Sequence, residues 1–424
     1  MTMRSIQASA LLMTALTLPA TLAAQTNTDD GFSSKRYAQL DQNMRALVDD
    51  SRRAGVAWAV ARDGKILASG AHGYRDVSRQ LPMQVDSIFR IYSMSRAVTA
   101  VALLQLVEQG LVDLDAPVSQ YLPELAELNV ITAVNGDSVR TAPAPSPVSV
   151  RQLITYTSGF AYAPQYPDSV GVDHRDILAL DQTPAQAMSK LASYPLRDAP
   201  GARWRYGYHS DVLGALIEKL SGKRLDDYYR EKIFEPLGMR DTGFLVAGEQ
   251  TDRLVRAYGD NGVDLTERLP PSSDYFKPTR FHSGGGGLVS TLADWARFAA
   301  VLAGDGRLAD ARLLQPATVL ELRRNQISAS QGPLFWYESA DFGQPGFSAR
   351  FNGYGFGYSV GVRLAYGPHS IPGRAGEISW GGLANTNWLA DPQTGLVAMV
   401  FAQYLGEDAP ATDEALREAL FAAP

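Results

Sequence analysis

Apolar residues recur at helical spacing across residues 36–52, where Tyr37, Leu40, Met44, Leu47 and Val48 share one face, so an amphipathic helix is expected there. Two apolar runs follow at 54–61 and 65–69, separated by Arg62, Asp63 and Gly64, and read as a two-stranded hairpin. Residues 93–110 are far more apolar and predict a buried helix closed by Gly110. The long middle reads as helix and loop, with helical candidates at 148–157, 183–193, 211–220 and 225–233 and proline-rich linkers such as 142–147. Four consecutive glycines, Gly284 to Gly287, predict a tight or flexible turn before a capped helix at 291–302. No Gly-Lys-Ser/Thr follows them, so they do not read as a phosphate loop. The last quarter returns to strands at 353–365, 377–380, 384–390 and 396–403, then a helix at 413–422. Strands at both ends with helices between predict a split α/β domain, 36–92 and 284–424, carrying a helical insertion at 93–283.

Composition narrows the classes. With 424 residues, 45% hydrophobic and 20% charged, the chain can bury a large core, which argues against disorder, collagen or coiled coil. A net charge of −6 argues against a nucleic-acid or anionic-membrane partner. With no cysteine, thiolate chemistry and disulfides are excluded. Only seven of the 39 basic residues are lysine; the rest are arginine. Residues 1–24 look like an export signal: Arg4, no charge from Ile6 to Leu22, then Ala23 and Ala24. Ser9, Thr14, Thr17 and Pro19 break the run, which argues against a membrane anchor. A polar leader at 25–35 would follow, and the mature protein is expected to be periplasmic or secreted, without a stable membrane anchor.

The five histidines, His72, His174, His209, His282 and His369, are too dispersed to form a helical ligand pair, and no H-E-x-x-H occurs, so no metal is expected. Gly357-Tyr358-Ser359-Val360-Gly361 has the spacing of a nucleophile elbow, but its flanks read as one strand running into Val362-Arg363-Leu364, with no helix after it. Ser93, at the start of the apolar helix, is the stronger candidate. Backbone N–H groups and the helix dipole favour an oxyanion there. The same position also suits a serine that merely caps the helix, and the local sequence does not choose.

Six ordered segments resemble serine β-lactamase-like hydrolases, a family that includes class C β-lactamases, D-amino-acid peptidases and related esterases. They are FRIYSMSRAVTAVALLQLVEQGLVDLDAP (89–117), VSVRQLITYTSGF (148–160), WRYGYHSDVLG (204–214), IFEPLGMRDTGF (233–244), residues 283–298 and WGGLANTNWLADP (380–392). The resemblance spans about residues 36 to 405 and implies an antiparallel sheet flanked by helices, with an inserted helical domain. It implies Ser93 as the acylated nucleophile and Tyr206 as the catalytic tyrosine, with Tyr208 a less favoured stand-in that would otherwise line the substrate site. Trp380, Gly381 and Gly382 occupy the place of the β-lactamase Lys-Thr-Gly, in the form typical of the esterases. The oxyanion hole would be the N–H groups of Ser93 and Leu383. Taken alone, Trp380 also reads as a core aromatic, while Gly381 and Gly382 suit close backbone approach to a ligand.

One position departs from the pattern. Where the family has Ser-x-x-Lys, this chain has Ser93-Met94-Ser95-Arg96. A buried lysine can lose its proton and act as a base, whereas arginine stays charged. Two outcomes are open. Either Arg96 acts as a fixed charge that lowers the Tyr206 pKa, making the phenolate the base, or the site is disabled and the protein binds without turning over. Without the Lys-Thr-Gly lysine, neutral esters are favoured over β-lactams; Arg374 is the one nearby cation. Tyr156 stands where the family often has histidine. Tyr92, Tyr162, Tyr166 and Trp388 are candidates for an apolar acyl pocket. The resemblance implies a serine hydrolase of small esters, amides or peptides, most simply a carboxylic-ester hydrolase that needs no cofactor. A D-amino-acid peptidase or an acyl transferase could use the same site.

Overall fold

Ser33 accepts a hydrogen bond from the Arg36 N–H (3.4 Å) and caps helix α1 (Ser34–Asp49), so the ordered fold begins two residues inside the span expected for the leader. The computed structural model describes residues 33–270, 273–332, 352–365, 371–406, 408 and 411–421; the expected export signal, most of the leader and His369 lie outside them. Tyr37, Leu40, Met44 and Leu47 are buried, and Val48 packs at their edge. The predicted hairpin is present as β1 (Gly55–Arg62) and β2 (Lys65–Asp76), with Asp63 and Gly64 at φ 50° and 70° as a primed turn requires. β2 is much longer than expected and pairs with a short β3 (Leu81–Pro82).

Helix α2 (Ser95–Glu108) is buried on nearly every side, as its predominantly apolar sequence dictates, and it carries Ser95, Arg96 and Thr99 into the interior. The middle of the chain then supplies α3 (Val150–Ile154), α4 (Pro184–Ala192) and α5 (His209–Ser221). Thr183 and Gln186 form a capping box on α4, and Gly222 ends α5 at φ 68°. This region is less purely helical than expected. Residues Asn129–Asn135 and Ser138–Pro143 form an antiparallel hairpin, part of which had read as a proline-rich linker. Thr291 caps α6 (Leu292–Ala303), and α7 (Pro316–Arg323) follows, a helix its pattern did not announce.

The stretch at 353–365 is not one strand. It is two, β4 (Tyr354–Phe356) and β5 (Gly361–Arg363), paired antiparallel around a turn in which Gly357 N–H donates to Val360 O (2.9 Å). Then come β6 (Ile378–Gly382), β7 (Thr386–Asp391), β8 (Leu396–Phe401) and the last helix, α8 (Ala411–Phe421). Among the described residues the main sheet has eight strands in the order β4-β5-β6-β7-β8-β1-β2-β3, and every pairing is antiparallel. The β1–β8 pairing closes one sheet from both ends of the chain. Alternation along β1 separates two cores: Val56, Trp58 and Val60 face α1 and α8, while Ala57, Ala59 and Ala61 face the core containing α2 and α6. Covering both faces explains why these strands are apolar throughout. Among the described residues no helix is long and apolar enough to cross a membrane.

Candidate active site

Ser93 does not cap the long helix. It sits in a 3₁₀ turn, Tyr92–Met94, that leads directly into α2, and no side chain caps either start. Tyr92, immediately before it, has φ 40°, a conformation a β-carbon disfavours and the surrounding contacts impose. Those contacts come from the glycine run: Ile91 N–H donates to Leu288 O (3.0 Å), Leu288 N–H to Ser95 Oγ (3.1 Å) and Thr99 Oγ1 to Gly284 O (2.6 Å). A β-carbon at Gly284 would lie 2.3 Å from Ser210 O, and one at Gly285 2.7 Å from Asp211 Oδ2. Gly284 and Gly285 are therefore required by close packing, Gly284 between α2 and α5 and Gly285 against α5; none of the four has positive φ.

Tyr206 is presented by an extended segment just before α5. Gln165 Nε2 donates to Tyr206 O (2.6 Å), and Arg205 N–H donates to Tyr156 O (2.8 Å), fixing its backbone. The side chains of Ser93 and Trp380 act on the Tyr206 hydroxyl, each lowering its pKa. Trp380 lies with its ring centroid 5.8 Å from Tyr206 and 5.3 Å from Phe356. Tyr208 points elsewhere: its hydroxyl meets His174 Nδ1 at 2.9 Å. Strand β6 ends against the nucleophile turn, because a β-carbon at Gly382 would be 2.3 Å from Ile91 O. Leu383 follows at the tip, 53% exposed and next to that approach.

Arg96 is fully buried. Its Nη1 donates to Tyr156 Oη (3.1 Å) and Gly207 O (3.1 Å), and its Nη2 donates to Tyr162 Oη. Its guanidinium lies 4.2 Å from the centre of the Tyr206 ring, and 5.4 and 5.6 Å from those of Tyr156 and Tyr162. It thus meets the catalytic-tyrosine candidate through the ring face. Burial opposes the charge, but Tyr156, Tyr162, Tyr206 and Asp211 outweigh it, and Arg96 stays firmly protonated. The expectation that Arg96 brings the Tyr206 pKa down is not met in net. Burial raises it more than Arg96, Ser93 and Trp380 lower it, so the resting phenol is neutral.

Two further buried groups had no sequence signal beyond their types. Asp211, in the first turn of α5, accepts from Ser283 Oγ (2.5 Å) and Gly285 N–H (3.2 Å), tying the glycine run to the helix. Burial raises its pKa despite Arg96 and these donors. The His209 ring stacks on Tyr156 at 4.6 Å, and burial, reinforced by the Arg96 charge, pushes its pKa down to about 3.

The remaining candidates are dispersed. Arg374 is paired with Asp391 (3.1 Å), at the far end of the β6–β7 pair from Gly382. Trp388 is a core residue against Trp295, with ring centroids 5.5 Å apart. Ser359 sits buried in the β4–β5 turn at φ 59°, its N–H donating to Ile154 O (3.0 Å), with neither the strand-to-helix turn nor the exposure an elbow needs. Tyr92 stays partly exposed beside Ser93, its hydroxyl 3.3 Å from Ser273 Oγ.

Comparison with known proteins settles the ancestry. The Beta-lactamase family model matches residues 40–423. The chain belongs to the Beta-lactamase family. Within it, Esterase EstB of Burkholderia gladioli is 32% identical over 416 residues, covering 91% of this chain and 95% of that one. Two solved structures share the fold. EstCE1, described as a hydrolase with promiscuous acyltransferase activity, aligns with a TM-score of 0.71 at 25% identity over 91% of this chain and 98% of its own. Simvastatin synthase (LovD) of Aspergillus terreus gives 0.74 at 23% identity over 92% and 99%. Family members with esterase and acyltransferase activity support a hydrolase acting on small molecules.

Proposed function

We propose that this Beta-lactamase family member is an exported serine hydrolase that cleaves small carboxylic esters through an acyl-enzyme on Ser93. The observation that carries the reading is the Ser93–Tyr206–Trp380 cluster at the glycine end of β6. In molecules whose Tyr206 is ionised, Ser93 Oγ attacks the ester carbonyl as its proton passes to the Tyr206 phenolate, and the N–H groups of Ser93 and Leu383 receive the developing oxyanion. Tyr206 returns the proton to the departing alcohol. Water then enters, Tyr206 takes its proton, and the acid leaves as Ser93 is restored. Trp380 N–H donates to the phenol oxygen throughout, and Arg96 supplies a fixed positive charge behind the ring. Because burial holds the Tyr206 pKa above its ordinary value of about 10, turnover should rise with pH across the alkaline range. Arg374, the cation the sequence offered for a substrate carboxylate, is committed to Asp391, which favours neutral esters.

A second reading, a binding protein without turnover, draws on Arg96 being held by three acceptors and unable to act as a base. A fluorophosphonate probe and a short nitrophenyl ester separate the two, run on the wild type, Ser93→Ala, Tyr206→Phe and Arg96→Lys. Ser93-dependent labelling and turnover support the hydrolase. An inert wild type with an active Arg96→Lys supports the binding protein. Full activity in Tyr206→Phe overturns the phenolate step. Product analysis with an added alcohol or amine distinguishes transfer to that acceptor from hydrolysis.

A further inference from the structure

We propose that Tyr156 and Tyr162 are positioning residues that adapt this site to arginine at position 96, holding the guanidinium flat against Tyr206 so that the phenol oxygen is left to Ser93 and Trp380. The inference deepens the hydrolase reading and rests on it for its kinetic arm.

A guanidinium is planar and presents its five N–H donors in its own plane, whereas an ammonium can aim three donors in any direction. A cation of the first kind, buried on α2, needs acceptors around its rim and an electron-rich surface on its face. The structure supplies acceptors for both terminal nitrogens and an aromatic ring beneath the central carbon, leaving Nε without a partner among the described residues. Tyr156 Oη and Gly207 O take Nη1, Tyr162 Oη takes Nη2, and Cζ lies over the Tyr206 ring, 4.2 Å from its centre. Each hydroxyl is itself placed by its own neighbours. The Tyr156 hydroxyl meets Ser210 Oγ (2.8 Å), and its ring stacks on His209. The Tyr162 ring is wedged edge-on among Tyr206, Tyr208 and His174, with centroids 5.6, 4.7 and 5.4 Å away. Tyr156 adopts φ 60°, so the chain holds an unfavourable backbone conformation at one of the two contacts.

The consequence is a division of labour. If the guanidinium were free to swing, it would donate to the nearest strong acceptor, the Tyr206 oxygen, and displace Ser93 or Trp380 from it. Pinned by the two hydroxyls and Gly207, it acts on Tyr206 only through the ring. Lysine at position 96 has no planar rim to satisfy, so the two hydroxyls should matter less there.

The test is a set of coupled substitutions: Tyr156→Phe and Tyr162→Phe, each in the wild-type and Arg96→Lys backgrounds, assayed on a nitrophenyl ester from neutral to alkaline pH. A cation–π contact is worth enough that misplacing it should lower kcat by about tenfold in the arginine background, with KM nearly unchanged and the rising limb moved to lower pH, because a guanidinium that reaches the phenol oxygen stabilises the phenolate. In the lysine background the same substitutions should cost less than about threefold. Equal losses in both backgrounds, or no loss in the arginine background, overturn the proposal. An activity-independent arm uses ¹³C-labelled tyrosine, with the Tyr206 Cζ resonance assigned by Tyr206→Phe. Its titration should move to lower pH in Tyr162→Phe, as the released guanidinium donates to the phenolate, and stay put in Arg96→Lys/Tyr162→Phe. If the wild type proves inert but this shift appears, the hydrolase reading fails while the positioning role stands; if the resonance is indifferent to Tyr162, the positioning role fails.

Discussion

Gly382→Ala perturbs the contact between the sheet and the nucleophile turn without touching a reactive group. The added β-carbon would lie 2.3 Å from Ile91 O and 2.3 Å from Thr386 Oγ1, where ordinary contact begins at 3.4 Å. Neither neighbour can withdraw freely. Ile91 is buried with its N–H on Leu288 O (3.0 Å) and its carbonyl accepting from Met94 N–H (3.0 Å), and Thr386 is paired to Phe401 across β7–β8. About 1 Å of displacement must be absorbed between β6 and residues 91–93, and overpacking of this kind costs about 1–3 kcal/mol. The same shift moves the Leu383 N–H away from Ser93, and an error of about 1 Å in such geometry can cost about 100-fold in rate. Gly381→Ala is the matched control, because its nearest obstacle is the movable end of the Asn387 side chain (2.6 Å). Urea unfolding gives the stability cost, and ester turnover with fluorophosphonate labelling gives the functional one. Wild-type turnover and urea midpoint in Gly382→Ala, or an equal loss in Gly381→Ala, would refute the argument.

Arg96→Lys should raise turnover near pH 7 by about tenfold or more and flatten the alkaline rise, because a buried lysine can give up its proton where arginine cannot; an unchanged pH–rate profile would show that residue 96 does not govern the base. His209, with its folded pKa near 3 against 6.5 unfolded, binds fewer protons in the native state, so it costs stability progressively as pH falls below 6.5. Between pH 7 and pH 5 this amounts to about 2 kcal/mol, which urea melts should find in the wild type and lose in His209→Phe. Asp211 has a raised folded pKa, so its penalty is absent below its unfolded value and grows as pH rises; Asp211→Asn should be more stable than the wild type at pH 7, with the gap closing toward pH 4. Ser359→Gly should keep full labelling and turnover, since Ser359 holds a turn at φ 59° that glycine adopts readily.

Much of this protein is determined by local sequence. Helical spacing places α1, strand alternation and Asp63-Gly64 set the β1–β2 hairpin, and the unbroken apolar run makes α2 a central helix, because these patterns act over a few residues. The family was also legible, from the order of six segments. Local pattern failed where long-range contacts decide. Residues 353–365 look like one strand and fold as two, because the buried turn at Ser359 is held by Ile154, more than 200 residues away in sequence. The four glycines read as a tight or flexible turn, and Gly284 and Gly285 prove closely fitted, since only the packed structure puts Ser210, Thr99 and Asp211 against them. Arg96 shows the difference most sharply. The sequence alone determined that residue 96 cannot be a base, because that follows from the chemistry of a guanidinium. Only the tertiary structure decided what it does instead, because two tyrosine hydroxyls and a carbonyl from distant segments fix where its donors point, the Tyr206 ring lies beneath it, and burial sets the net direction of the Tyr206 pKa.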